Sequence, residues 1–88
     1  MPTELTPSQC RAGRAMIEWT QAHLAKSAGI GVTTLQNFEN GKSKPIVSVR
    51  LAIRRALEDA GVMFIAAGAK HGPGVRINAP PRDDGATR

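Results

Sequence analysis

Residues 20–41, TQAHLAKSAGIGVTTLQNFENG, decide the fold: they hold two short helix patterns joined at Gly29 by a turn too tight for the helices to run parallel. Thr20 opens the first pattern as an N-cap, and Leu24, Ala25 and Ala28 share one face. Trp19 before the cap and Leu24 inside the helix are spaced as a hydrophobic staple. Gly29 falls where the chain must pass through positive φ, which glycine tolerates best. The second pattern sets Val32, Leu35 and Phe38 on one side and Thr33, Thr34, Gln36, Asn37 and Asn40 largely on the other, and stops at Asn40-Gly41.

An antiparallel helix pair in any small bundle shows apolar stripes and a glycine turn, so the pattern by itself fits a structural hairpin of helices as well as a helix-turn-helix. Two features favour the second. Ala25 is small where the helices must cross closely, and the outer face of the second helix carries hydroxyls and amides where a merely solvated face usually carries Lys and Glu. Asn and Gln side chains can bond adenine bidentately, and Thr offers a hydroxyl and a methyl group to base edges.

Arg11 and Arg14, Trp19-Thr20-Gln21, Leu24-Ala25, Ala28-Gly29-Ile30, Leu35, Phe38-Glu39-Asn40-Gly41-Lys42 and Pro45 form a string with a wider likeness. From about Gln9 to Gly61 the chain resembles the lambda repressor and Cro-like family of bacterial and phage regulators, the XRE family. The resemblance implies a mostly α fold, a four- to five-helix lambda-repressor-like bundle containing the helix-turn-helix. It implies base reading in the major groove by Val32, Thr33 and Asn37, joined by Gln36. It also implies phosphate contacts from Gln21 and from the loop residues Asn40, Lys42, Ser43 and Lys44, and an ion pair of Arg14 with Glu39. The chain departs from the family pattern at Gly31, where relatives often have a Ser or Thr cap, at His23, where many have a capping-box Glu, and at Trp19, where Leu is usual.

Thr6-Pro7-Ser8-Gln9 announces a helix before this motif, with an N-cap Thr, a first-turn Pro and a Gln three residues on; it is expected to run from Pro7 to Glu18. A further pattern from about Val47 to Ala60 places Val49, Ile53, Ala56, Leu57 and Ala60 on one stripe and stops at Gly61. Val62-Met63-Phe64-Ile65 and Val75-Arg76-Ile77 then read as short strands around a Gly-rich loop, a C-terminal β-hairpin or a pair of dimerisation strands. The expected organisation is a flexible N-terminus (1–5), a DNA-binding domain (6–61), a hairpin or dimerisation segment (62–77) and a disordered tail (78–88). A lone hairpin is marginal in water and its edges invite pairing. Phe64, Ile65 and Val75 are therefore expected as apolar anchors of a homodimer, unless the strands fold back on their own helical core.

The 88 residues carry a formal charge of +5, and Lys42, Lys44, Arg50, Arg54 and Arg55 fall in one stretch free of acids. Such a stretch beside a reading helix supplies counterion release on a phosphate backbone; for Arg54 and Arg55 a solvated helix face is an equal reading. No apolar run approaches a membrane span and the N-terminus has no signal-peptide pattern, so a cytoplasmic, nucleoid-associated location is expected. The lone Cys10 reads as a small core residue. His23 and His71 are far apart in sequence, with no paired acids or ligand-spaced cluster, so neither an enzyme nor a metal or other cofactor is expected. RNA binding is disfavoured because only Trp19, Phe38 and Phe64 are aromatic, and all read as core or interface.

The expected function is that of a homodimeric regulator, most simply a repressor, bound to double-stranded DNA at a roughly palindromic site. The alternative is a protein-interaction module, an antiactivator or antitoxin that sequesters a partner through the same fold.

Overall fold

A computed structural model describes residues 4–77; residues 1–3 and the expected tail at 78–88 lie outside the described residues. Four helices, α1 (Pro7–Met16), α2 (Gln21–Ala28), α3 (Val32–Glu39) and α4 (Val47–Asp59), precede an antiparallel hairpin of β1 (Val62–Ile65) and β2 (Gly74–Ile77). Its register pairs Val62 with Ile77, Phe64 with Val75 and Ile65 with Gly74. The core draws Leu24 and Ala25 from α2, Leu35 and Phe38 from α3, Ile53, Ala56 and Leu57 from α4, and Val62 and Phe64 from β1. Val49 is half-buried against this core, while Ala60, expected on the same stripe, is the exposed C-cap of α4.

The start of α1 follows the sequence signal in full. Thr6 Oγ1 accepts from the Gln9 amide at 3.1 Å, and Gln9 Oε1 accepts from the Thr6 amide at 3.1 Å. Leu5, expected in the flexible N-terminus, is instead buried. It precedes the cap and is spaced with Cys10 as a hydrophobic staple, and both belong to the core cluster. Gln9 does more than complete the box. Its Nε2 donates to the carbonyls of Gly74 at 2.9 Å and Ile65 at 3.2 Å, the paired residues next to the connecting loop, so the N-terminus of α1 holds the hairpin's loop end.

The end of α1 departs from the expectation of a helix through Glu18. Glu18 adopts φ 58°, the Glu18 amide donates to the Ala15 carbonyl at 3.1 Å, and the Trp19 amide donates to the Arg14 carbonyl at 2.9 Å. This is the left-handed Schellman closure that Gly29, at φ 74°, gives α2, where the Ile30 amide donates to the Ala25 carbonyl at 3.0 Å. The geometry is the same, but in α1 a residue with a Cβ carries it, without the glycine that marks such a stop in sequence.

The hairpin lies on its own subunit's core. Strand alternation turns Val62 and Phe64 inward and leaves Met63 and Ile65 exposed. Phe64 is only 9% exposed, its ring sits beside Gly13, and the Arg54 guanidinium lies 5.4 Å from its centroid. A Cβ built at Gly13 would come within 3.3 Å of Val62 Cγ1, so the missing side chain is what lets β1 approach α1 this closely. Of the three residues expected as dimer anchors, Phe64 lies in its own subunit's core, its strand partner Val75 is half-buried, and Ile65 faces outward. The pairing rule fixes which residues share a face but not which face meets the core, and the core took the face holding the aromatic ring.

One carboxylate ties the first three helices together. Glu39, at the end of α3, is 1% exposed and accepts four side-chain hydrogen bonds. Arg14 Nε and Nη2 donate to Oε2 and Oε1, each at 2.8 Å, Gln21 Nε2 donates to Oε1 at 2.9 Å, and Cys10 Sγ donates to Oε2 at 3.1 Å. Arg11 Nη1 adds a bond to the Glu39 backbone carbonyl. Cys10 is therefore a buried donor as well as core filler. Burial, then its bond to Glu39, pushes the Cys10 thiol well above its usual range and keeps it protonated. For Glu39 burial acts upward, but the hydrogen bonds from Arg14, Gln21 and Cys10 and the charge of Arg14 outweigh it and hold the carboxyl below its ordinary value of 4.5.

Two predictions follow from these contacts. Replacing Glu18 by Gly should raise the unfolding free energy in urea by about 0.5–1 kcal/mol, because a left-handed residue with a Cβ is removed; an unchanged or lowered value would refute the strain. Because the folded carboxyl of Glu39 titrates below its unfolded value, its contribution is complete above pH 4.5 and is lost as pH falls through the lowered folded value. Glu39→Gln should lower stability by about 3 kcal/mol at neutral pH, where it leaves the Arg14 charge without its partner. The gap to wild type should narrow as urea melts are repeated below pH 4.5, and a gap independent of pH would contradict the charged pair.

Candidate nucleic-acid interface

The second helix of the motif, α3, starts without a side-chain cap. Gly31 has extended backbone at φ −73°, and no side-chain hydrogen bond closes this end. Downstream, Leu35 and Phe38 turn into the core and Val32, Thr33, Thr34 and Gln36 stay exposed, with Asn37 half-buried. Val32 is 39% exposed, so it leaves the core side where simple periodicity places it and joins the outer face. Val32, Thr33, Gln36 and Asn37 follow the spacing i, i+1, i+4, i+5 and form one ridge. Thr33, Gln36 and Asn37 have no side-chain hydrogen bond to another described residue, so their donors and acceptors are open to an outside partner.

The loop after α3 is closed onto that ridge. Gly41 takes φ 76°, and the amides of Lys42 and Ser43 both donate to the Asn37 carbonyl, at 2.8 and 3.3 Å. The backbone of a ridge residue therefore sets the position of the first loop cation. Asn40, Lys42, Ser43 and Lys44 are all exposed. Lys44 Nζ lies 3.2 Å from the carboxylate of Glu4, a contact with no signal in the sequence because the partners are distant along the chain.

On the other side of the ridge, Thr20 caps α2 by accepting from the His23 amide at 3.0 Å. The first amides of α2 have no intrahelical acceptor, a ready site for an anion. Gln21, half-buried at this end, spends one amide N–H on Glu39 and keeps the second. The Arg14–Glu39 pair therefore orients the Gln21 side chain as well as the end of α3. Trp19, half-buried against the core, stacks on His23 with ring centroids 4.2 Å apart, so this departure from the family pattern adds packing at the start of α2.

The basic stretch divides. Lys42, Lys44 and Arg55 are exposed. Arg50 donates to the Pro45 carbonyl and reaches Glu4 at 3.4 Å, which fixes the turn into α4. Arg54 is paired with Glu58 at 2.9 Å and lies over Phe64. Among the described residues no cluster of His, Cys, Asp or Glu could hold a metal ion, and no helix is long and apolar enough to cross a membrane.

Two comparisons bear on this geometry. A helix-turn-helix family model matches residues 11–58, which span α1 to the last turn of α4. The structure is similar to that of the DNA-binding domain of the P22 C2 repressor determined in solution by nuclear magnetic resonance. The TM-score is 0.57 and the identity 29%, over 66% of this chain and 76% of that one. No curated protein matches the sequence. With the matched segment covering more than half the chain and enclosing both the ridge and its loop, the protein belongs to the helix-turn-helix family, of the lambda repressor and Cro-like type.

Proposed function

We propose that the protein is a sequence-specific regulator of transcription that binds double-stranded DNA as a homodimer, most simply as a repressor that occupies a promoter. In this reading α3 enters the major groove, with Thr33, Gln36 and Asn37 bonding base edges and Val32 meeting a thymine methyl. Lys42 and Lys44, helped by Asn40, Ser43 and Gln21, hold the phosphates on either side. The observation that carries the reading is the neutral ridge of α3, with open amides and hydroxyls, joined through the Asn37 carbonyl to a loop bearing exposed cations. The P22 C2 repressor domain, whose name states DNA binding, shares this architecture and supports the same use of it.

A two-fold pair of subunits would set two reading helices about 34 Å apart, one turn of the double helix. With Phe64 and Val75 turned inward, the contact is assigned to the outer side of the hairpin, where Met63 and Ile65 are 37% and 38% exposed. The second reading, a module that sequesters a protein partner, draws on a different observation: Ile46, Val47 and Leu51 are exposed at the start of α4. A module of that kind would fail to shift its own promoter fragment in a gel at moderate salt.

Selection of bound oligonucleotides from a random pool supplies the site for a direct test. Asn37→Ala should weaken binding by about 1 to 3 kcal/mol and relax preference at one position, whereas Lys42→Ala should weaken all sequences and reduce the salt slope by about one. Equal losses on selected and random DNA for Asn37→Ala would defeat base reading. For the dimer, light scattering after size exclusion should give twice the chain mass for wild type and a single chain for Ile65→Asp with unchanged helicity. A single-chain mass for wild type would end the dimer assignment.

A further inference from the structure

One charge of the loop, that of Lys44, is opposed by an acid in the free protein. Glu4 Oε2 sits 3.2 Å from Lys44 Nζ and 3.4 Å from Arg50 Nη2. Its backbone is held by its neighbours, since Leu5 is buried in the core and Thr6 caps α1. The carboxylate is thus presented to the loop from a fixed stem, beside a cleft that Phe38, Gly41, Lys42 and Ser43 help to line. Among the described acids its position is distinctive: Glu39 is enclosed by its own donors, and Glu58 is paired with Arg54 on α4.

We infer that Glu4, steadied by Arg50, is an intramolecular competitor for the DNA backbone, occupying Lys44 in the free protein and giving way to a phosphate when the loop docks. The inference rests on the loop's phosphate-gripping role proposed above. A carboxylate and a phosphate diester each present anionic oxygens with a single negative charge, so both satisfy the same ammonium and guanidinium donors. Exposure decides the strength of the competition. Glu4 is 59% and Lys44 66% exposed, so water and salt screen the pair and it yields readily, whereas Arg50, at 13%, stays in place between Glu4 and the Pro45 carbonyl. Glu4 therefore lowers affinity without abolishing it, and it acts on the part of binding that does not depend on sequence.

The test is a set of anisotropy titrations on a labelled duplex of mixed sequence with the full chain. Glu4→Gln should bind roughly two- to five-fold tighter than wild type, the range expected for release of an exposed ion pair. Asp59→Asn, the same charge change at the far end of α4, should gain less. In a Lys44→Ala background the gain from Glu4→Gln should shrink. Equal gains from Glu4→Gln and Asp59→Asn, or a Glu4→Gln gain that is undiminished without Lys44, would show only long-range charge and overturn the inference. Lys44→Ala alone separates the two levels: if it weakens binding while Glu4→Gln changes nothing, the loop reading survives and the competitor fails. If Lys44→Ala binds as wild type, the loop reading fails and takes the inference with it.

Discussion

A single buried carboxylate sets the direction in which the exposed ridge of α3 points. Glu39 stands at the C-terminal end of α3, where the helix macrodipole is already negative, so its charge has the wrong sign for its place and almost no water to compensate. It is kept ionised by Arg14 in a two-pronged pair, by Gln21 and by Cys10, while Arg11 bonds the carbonyl of the same residue. Apolar contacts between helices tolerate small rotations and slides. A carboxylate with both oxygens held by a planar guanidinium does not, because the fork fixes orientation as well as distance. The pair therefore fixes the arrangement of α1, α2 and α3 to a degree that packing of Leu24 and Leu35 alone would not, and the same contact aims the Gln21 amide beside the first amides of α2.

The parts of this molecule legible in the sequence are those decided within a few residues. The capping box at Thr6 and Gln9, the cap at Thr20, the glycine turn at residue 29 and the stop at Asn40-Gly41 each follow from backbone chemistry that needs no distant partner. The Arg14–Glu39 pair was legible only through family likeness, since nothing in either residue's neighbourhood names the other. The end of α1 was not legible, because Glu18 carries a left-handed closure without the glycine that would announce it. Cys10 reads as core from its face of α1, but its bond to Glu39 is made by tertiary placement. Periodicity put Val32 with Leu35 and Phe38; as the first residue of α3, with no turn before it to lean on, it stays at the rim and joins the ridge.

The hairpin shows the same division between local and distant causes. Alternation marks two strands and two faces, and both faces of β1 are apolar, so sequence alone leaves the inward face undecided. Gly13 decides it by giving room for Val62 and Phe64, and Arg54 covers the ring from the α4 side. Gln9 then bonds the two carbonyls at the loop end, which secures a hairpin too short to be stable by itself. One subunit thus meets most of the hairpin's needs, and what remains for a second copy is the outer row of Met63 and Ile65 rather than the aromatic anchor.

The distribution of charge across the interface has a consequence for discrimination. Cations attract every stretch of duplex equally, so placing them on the ridge would raise binding to right and wrong sequences together, and specificity is a difference between the two. Here the ridge is neutral and its polar groups are open, so its contribution depends on which bases it meets. The cations sit on the loop, anchored through the Asn37 carbonyl, so that in the proposed reading phosphate contact and base contact would share one frame. In the same reading a carboxylate poised at Lys44 lowers the sequence-independent term for right and wrong sequences alike, and the difference between them is left to the ridge.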